Sequence, residues 1–144
     1  MPMKPELTLR PARAFDAIPC ATIVNEWVEA TGWMPRIHTR AEIVARCRER
    51  QCGTMIAECA GEVAGFLSLD GNEVTSLFVA STGHGTGAAL LDRARKERER
   101  LTLWTFAANR PARRFYEREG FLPARRSIDN AERLPDIEYV WTAA

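Results

Sequence analysis

Apolar and polar positions along the chain change period several times, and each change marks a predicted element. LTLR (7–10) alternates and runs into Pro11, which predicts a short first strand. AIPCATIVNEWVEA (17–30) carries apolar residues at helical spacing, with Asp16 placed to cap it and Pro19 tolerated in its first turn. Thr31-Gly32 ends that helix, and WMPRIH (33–38) is an irregular connector with large side chains. Thr39-Arg-Ala-Glu42 is a capping box that opens a second helix running to about Gln51. TMIAECA and EVAGFLSLD, joined at Gly61-Glu62, read as a hairpin; Asp70-Gly71-Asn72 is the next turn, and EVTSLFVA (73–80) is the third strand of the meander. A glycine-rich stretch, TGHGTG (82–87), then leads into the helix AALLDRARKERER. LTLWTFA (101–107) is a strand, and Asn109 caps the helix RPARRFYEREG, with Pro111 in its first turn and Gly120 as its stop. FLPARRSI is a strand, NAERLPD a turn-rich loop and IEYVWT the last strand. The order β-α-α-β-β-β-α-β-α-β-β predicts an α/β protein of the α+β kind on a mixed sheet, and not a Rossmann series.

Composition narrows this picture. With 144 residues, 46% of them hydrophobic, the chain supports one sizeable core and is too short for two ordinary domains, so residues 1–144 are expected to form a single domain. A net charge of +1 gives no global field that would favour nucleic acid or an anionic membrane as partner. No apolar run approaches the roughly 18 residues of a membrane span, and MPMKPELTLR lacks the apolar centre of a signal peptide, so a cytoplasmic protein is expected. Cysteines 20, 47, 52 and 59 form no CxxC, and His38 and His84 lie far apart in sequence. Neither a metal site nor a disulfide is expected, and Cys20 and Cys47 read as small core residues.

The glycine stretch carries the first chemical signal. Amides at the start of a helix have no intrahelical partner and sit at the positive end of its dipole. Glycines let that backbone wrap closely around phosphate oxygens. TGHGTG between a strand and a helix therefore reads either as a pyrophosphate cradle or as a merely flexible loop. Thr86-Gly87-Ala88 is not the Gly-Lys-Ser/Thr of a nucleotide-hydrolysing loop, and the stretch follows a meander instead of opening a dinucleotide-binding βαβ unit.

Taken together, LFVASTGHGTGAALL and ANRPARRFYEREGF resemble the two signature regions of the GNAT superfamily of acyl-CoA N-acyltransferases. The pattern N-x-x-A-x-x-F-Y-x-x-x-G-F is the more specific half, and the element order is similar to that fold from end to end. WMPRIHT, LWTFAAN and ERLPD resemble stretches of small bacterial members. The family loop usually carries Arg or Gln before its glycines. Counting back from Leu90-Leu91, which must keep their helical phase, makes Gly83, Gly85 and Gly87 the family glycines and leaves the loop two residues short. Counting forward from Val79 instead puts His84 at the Arg/Gln position.

The resemblance implies direct transfer of an acetyl group from acetyl-CoA to an amine through a tetrahedral intermediate, with no metal. It implies that the strands EVTSLFVA and LTLWTFA splay, and that the main chain of Leu77, Phe78 and Val79 pairs with the pantetheine arm and supplies an oxyanion N–H. The amides of His84, Gly85, Thr86, Gly87 and Ala88 would hold the pyrophosphate, and Asn109 would contact the arm. Tyr116 is the expected proton donor to the departing thiolate; on the bare sequence it reads equally as core beside Phe115. Glu73, at the head of the central strand, is the carboxylate expected to serve as base, with His38 the other choice. Trp33, Met34 and His38 from the connector, with Arg133, Asp136 and Glu138 from the last loop and strand, would border a small-molecule amine or amino-acid-like acceptor. Arg110, Arg113, Arg114 and Arg118 read as a solvated helix face, with contact to the coenzyme's phosphates the other reading; Tyr139 and Trp141 read equally as a homodimer edge or as edge packing within one chain. The reading from another class is a catalytically silent coenzyme-A-binding or sensor domain.

Overall fold

The computed structural model describes residues 6–144; residues 1–5, the start of the N-terminal stretch considered above, lie outside it. The chain forms β1 (Leu7–Pro11), α1 (Ala17–Ala30), α2 (Arg40–Glu49), β2 (Thr54–Cys59), β3 (Glu62–Asp70), β4 (Glu73–Val79), α3 (Thr86–Arg95), β5 (Arg100–Phe106), α4 (Arg110–Arg118), β6 (Leu122–Ser127) and β7 (Asp136–Thr142). Short 3-10 turns precede α1 and β2. This is the predicted order. All seven strands lie in one mixed sheet, arranged β1-β2-β3-β4-β5-β7-β6.

The meander follows from its turns. Ala60 and Gly61 have φ of 53° and 79°, so two left-handed residues close β2 onto β3; Gly71, at 60°, turns β3 into β4. Helices cover both faces of the sheet. On one, α3 lays Leu90, Leu91 and Ala94 over Leu67, Val74, Leu101, Leu103 and Ile137, and α4 adds Tyr116. Each fully buried leucine contributes about 1.5–3 kcal/mol, which explains why the helix keeps its phase whatever the preceding loop does. On the other face, Cys20 and Val24 of α1 and Cys47 of α2 pack on Ile56, Phe66 and Phe78. Burial raises the thiol pKa values of Cys20, to about 12, and of Cys47. Both are core residues, as the sequence suggests.

Two expectations are corrected. Asp16 makes no side-chain cap on α1. Its buried carboxylate instead accepts from the Arg13 amide at 2.7 Å and from both terminal nitrogens of Arg10 at 2.8 and 2.9 Å, while Arg10 Nε reaches Glu58. Asp16 therefore ties β1 to the entry of α1, and the Arg10 bonds hold its pKa below the ordinary carboxylate value. The last strand is not an edge either. β7 lies between β5 and β6, Tyr139 is fully buried, and Trp141 packs against the core, so neither offers a dimer edge. The outer strand on that side of the sheet is β6, whose Pro123 and exposed arginines make a poor template for pairing.

Candidate active site

β4 and β5 are parallel neighbours, yet only one residue pair joins them, Glu73 with Thr102. There the Thr102 amide donates to the Asn72 carbonyl at 2.9 Å. A bulge in the β3–β4 register leaves Thr75 without a partner, and bulges bend and twist the strand that carries them. β5 is meanwhile held along its whole length by β7. The two strands diverge past the bulge, and a cavity of about 1020 Å³ opens between residues 76–79 of β4 and 103–106 of β5. That is the upper end of the range for small-molecule sites.

One end of this cavity is made of main chain. Residues 81–88 line it, with Gly83 and Gly85 at φ of 85° and 76°. Gly85 is the N-cap of α3, so the unpaired first-turn amides of that helix border the cavity. Two further glycines allow the elements to close up. A Cβ on Gly65 would lie 2.8 Å from the Phe78 carbonyl oxygen and 3.0 Å from Thr86 Cγ2, and one on Gly87 would lie 3.1 Å from Phe115 Cζ. The structure thus brings His84, Gly85, Thr86, Gly87 and Ala88 together with Leu77, Phe78 and Val79.

α4 closes this end. Asn109 caps it, its side-chain oxygen accepting from the Ala112 amide at 3.3 Å. Tyr116 reaches the cavity wall from the α4 side, its ring edge-on to Phe115 and Phe121 at 5.3 and 5.7 Å. Burial raises the phenol pKa, so the hydroxyl stays protonated across the neutral range. The arginines of α4 are not simply a solvated face. Arg113 donates to the Ala107 carbonyl and the Tyr139 hydroxyl, and Arg118 covers the Phe115 ring at 5.7 Å while lining the cavity.

The other end is made of side chains. Trp27 and Trp33 meet edge to face at 5.8 Å, and they reach across to Phe78 and Phe106 at 5.7 Å each, so an aromatic cluster bridges the splayed strands. Met34 and His38 of the connector line the same cavity. Arg36 holds the connector to α1 through Asn25 at 2.8 Å and Glu29 at 3.3 Å.

Four expected residues are not brought to the cavity. Glu73 sits at the zipped end of the β4–β5 pair, opposite Asp70 and exposed, because the strands open only beyond it. Arg133 is exposed, in a left-handed conformation at φ 53°, within a loop pinned by mutual Asn130–Leu134 bonds. Asp136 pairs in the sheet with Phe106 and Ser127; its Oδ1 is buried with no partner among the described residues, and burial raises its pKa. Glu138, also named with them, forms a bidentate pair with Arg125. The last loop contributes Glu132 instead. Trp27, Trp104 and Arg50 were equally missed. For Arg50 the available sign was the pair of serines, Ser68 and Ser76, set inside otherwise apolar strands.

The model of the acetyltransferase (GNAT) domain family matches residues 43–123. Among solved structures, apo YjaB from Escherichia coli aligns with a TM-score of 0.79 at 23% identity, covering 96% of this chain and 99% of that one. yncA from Salmonella typhimurium, solved with its cofactor acetyl-CoA, gives 0.70 at 23% identity, with 96% and 97% covered. Ribosomal-protein-alanine N-acetyltransferase from Brucella melitensis gives 0.71 at 20%, with 94% and 99% covered. Comparison with curated proteins by sequence returns no match. At these identities the structural likenesses establish the fold, while the family model spans more than half of the sequence. With its splayed central strands and glycine-built helix entry, the chain belongs to the GNAT acetyltransferase family.

Proposed function

We propose that this protein is an N-acetyltransferase that moves an acetyl group from acetyl-CoA to the amine of a small acceptor. The observation that carries the reading is the opening between β4 and β5, which leads at one end to the amides ahead of α3. The residues present fit coenzyme A. Bare first-turn amides suit a diphosphate, Gly65 and Gly87 keep the surrounding elements close, and the unpaired inner edge of β4 suits the amides of a pantetheine arm. The reading is supported by likeness of fold to yncA, which was solved with its cofactor acetyl-CoA.

Acetyl-CoA supplies an acetyl thioester, reactive toward neutral amines. The chain's part is to orient and to handle charge. Amides of residues 84–88 hold the diphosphate, and the main chain of Leu77, Phe78 and Val79 aligns the arm as if it were a strand. A β4 amide beside the carbonyl stabilises the negative charge that develops on its oxygen. The Asn109 side-chain N–H group is available to the arm, since its oxygen is committed to capping α4. Tyr116, kept protonated by its burial, donates to the sulfur as the thiolate leaves. The amine must give up a proton before attack, and the cavity offers His38 and Glu132 as acceptors. Asp16 also reaches the wall but is committed to Arg10.

Calorimetric titration with acetyl-CoA, followed by thiol release over a panel of small amines, tests the proposal. Binding together with amine-dependent release is expected. Binding without release on any amine would instead make the chain a silent coenzyme-binding domain, and absence of binding would end the coenzyme reading altogether.

A further inference from the structure

Five arginines and only two carboxylates, Asp16 and Glu132, line the cavity, and Asp16 is already neutralised by Arg10. The positive excess has a focus. Arg50, at the end of α2, is half-buried and donates from Nη1 to Ser76 Oγ at 3.0 Å. Ser76 shares the sheet face of Phe78 by strand alternation, opposite Ser68, whose hydroxyl bonds Thr54 at 2.6 Å, while the bulge at Thr75 sends Val74 to the other face. The Arg50 carbonyl accepts from the Thr54 hydroxyl at 2.7 Å, which fixes the backbone carrying the guanidinium. No ion pair forms at Arg50 among the described residues. Glu49 and Glu73 are near enough to act through space but do not bond it, and its Nε and Nη2 donate to nothing described. Arg46, one turn earlier on α2, lines the cavity too and opposes it with like charge. Burial disfavours this charge by more than the through-space pull of Glu49 and Glu73 favours it, and no carboxylate bonds it among the described residues.

A positioned, half-desolvated guanidinium with free donors is a receptor for a planar anion. We propose that Arg50 binds a carboxylate of the acceptor, so that the substrate is an amine bearing a carboxylate, its apolar body against the wall of Trp27, Trp33 and Trp104. This deepens the acetyltransferase reading by naming its acceptor class, and rests on that reading only for the transfer step. A carboxylate suits the site better than a phosphate because a single fork, opposed by one serine, matches two coplanar oxygens.

The test separates binding from turnover. Quenching of the cavity tryptophans is titrated with phenylacetate, phenylacetamide and phenylphosphonate. Phenylacetate is expected to bind about tenfold more tightly than the amide, the difference of one charge-assisted bond pair. Arg50→Gln should abolish that preference, and Arg50→Lys should retain part of it. Ser76→Ala, which leaves the guanidinium in place, should keep the preference and controls for loss of packing. Equal binding of acid and amide, a preference that survives Arg50→Gln, or tighter phosphonate binding would overturn the assignment. Thiol release with phenylalanine against phenethylamine completes the set. An intact carboxylate preference with no release on any amine would remove the enzyme but leave the subsite. Release on phenethylamine as fast as on phenylalanine, without a binding preference, would remove the subsite but leave the enzyme.

Discussion

The two ends of the cavity are built from different materials. At the α3 end the walls are peptide groups, exposed because glycines occupy positions where a Cβ would collide or where φ is positive. At the α1–α2 end they are indoles, a phenyl pair and guanidinium groups that arrive from α1, the connector, α2, β4 and β5. In the proposed function, the main-chain end would take what members of a family share, a diphosphate and an amide-bearing arm. The side-chain end, which changes with single substitutions, would be where one member's acceptor is chosen.

Substitutions at each end should therefore separate cleanly. The largest effect is expected at Tyr116, on the wall that α4 contributes. Tyr116→Phe should lower turnover about 100-fold while leaving the acetyl-CoA dissociation constant unchanged, as calorimetry beside a thiol assay would record. An undiminished rate would return Tyr116 to the core. Next in size is Trp33→Ala, which removes the bridge between Trp27 and Phe106. It should raise the acceptor KM about tenfold with no change in coenzyme affinity, and a loss in coenzyme affinity instead would blur the division.

Gly85→Ala acts on the opposite end. A left-handed alanine costs about 1–2 kcal/mol, so coenzyme binding should weaken about fivefold or more, or the melting temperature fall by a few degrees, with the acceptor KM unmoved. The smallest effect concerns pH. The carboxyl pKa of Asp16 is depressed in the folded state by Arg10, so its stabilising contribution is complete above the ordinary carboxylate pKa and is lost as pH falls through the depressed value. Asp16→Asn should flatten the acid limb of a stability–pH curve followed by urea unfolding. An unchanged acid limb would show that this buried pair does not drive acid unfolding.

The same division explains what could be read in advance. Glycines, prolines and caps act over a few residues, so the element order, the α3 entry and the Asn109 cap were legible in TGHGTG and ANRPARRFYEREG. Contacts between distant segments were not. The insertion of β7 between β5 and β6 depends on pairing across α4 and a loop, and no local pattern encodes it. Simple alternation along EVTSLFVA hides the bulge at Thr75, which sends Val74 to the opposite face of the strand from Ser76, the residue that meets Arg50. Glu73 looked central because it opens the central strand, but a parallel pair that parts after one rung leaves its first residue at the closed corner. The choice of Glu132 over Arg133 is a matter of one position in a loop whose turn is set by Asn130.

That lone rung between Glu73 and Thr102 divides the hydrogen-bonded ladder into two panels, β1 to β4 and β5 to β7. Peptide groups of β4 that would have met β5 face the gap, so in the free protein they should take up deuterium faster than their neighbours bonded to β3. A molecule lying in the gap and bonded to one panel while packed on the other acts as a clasp. It should slow that uptake along residues 76–79 and raise the melting point with its concentration, as binding confined to the folded state requires.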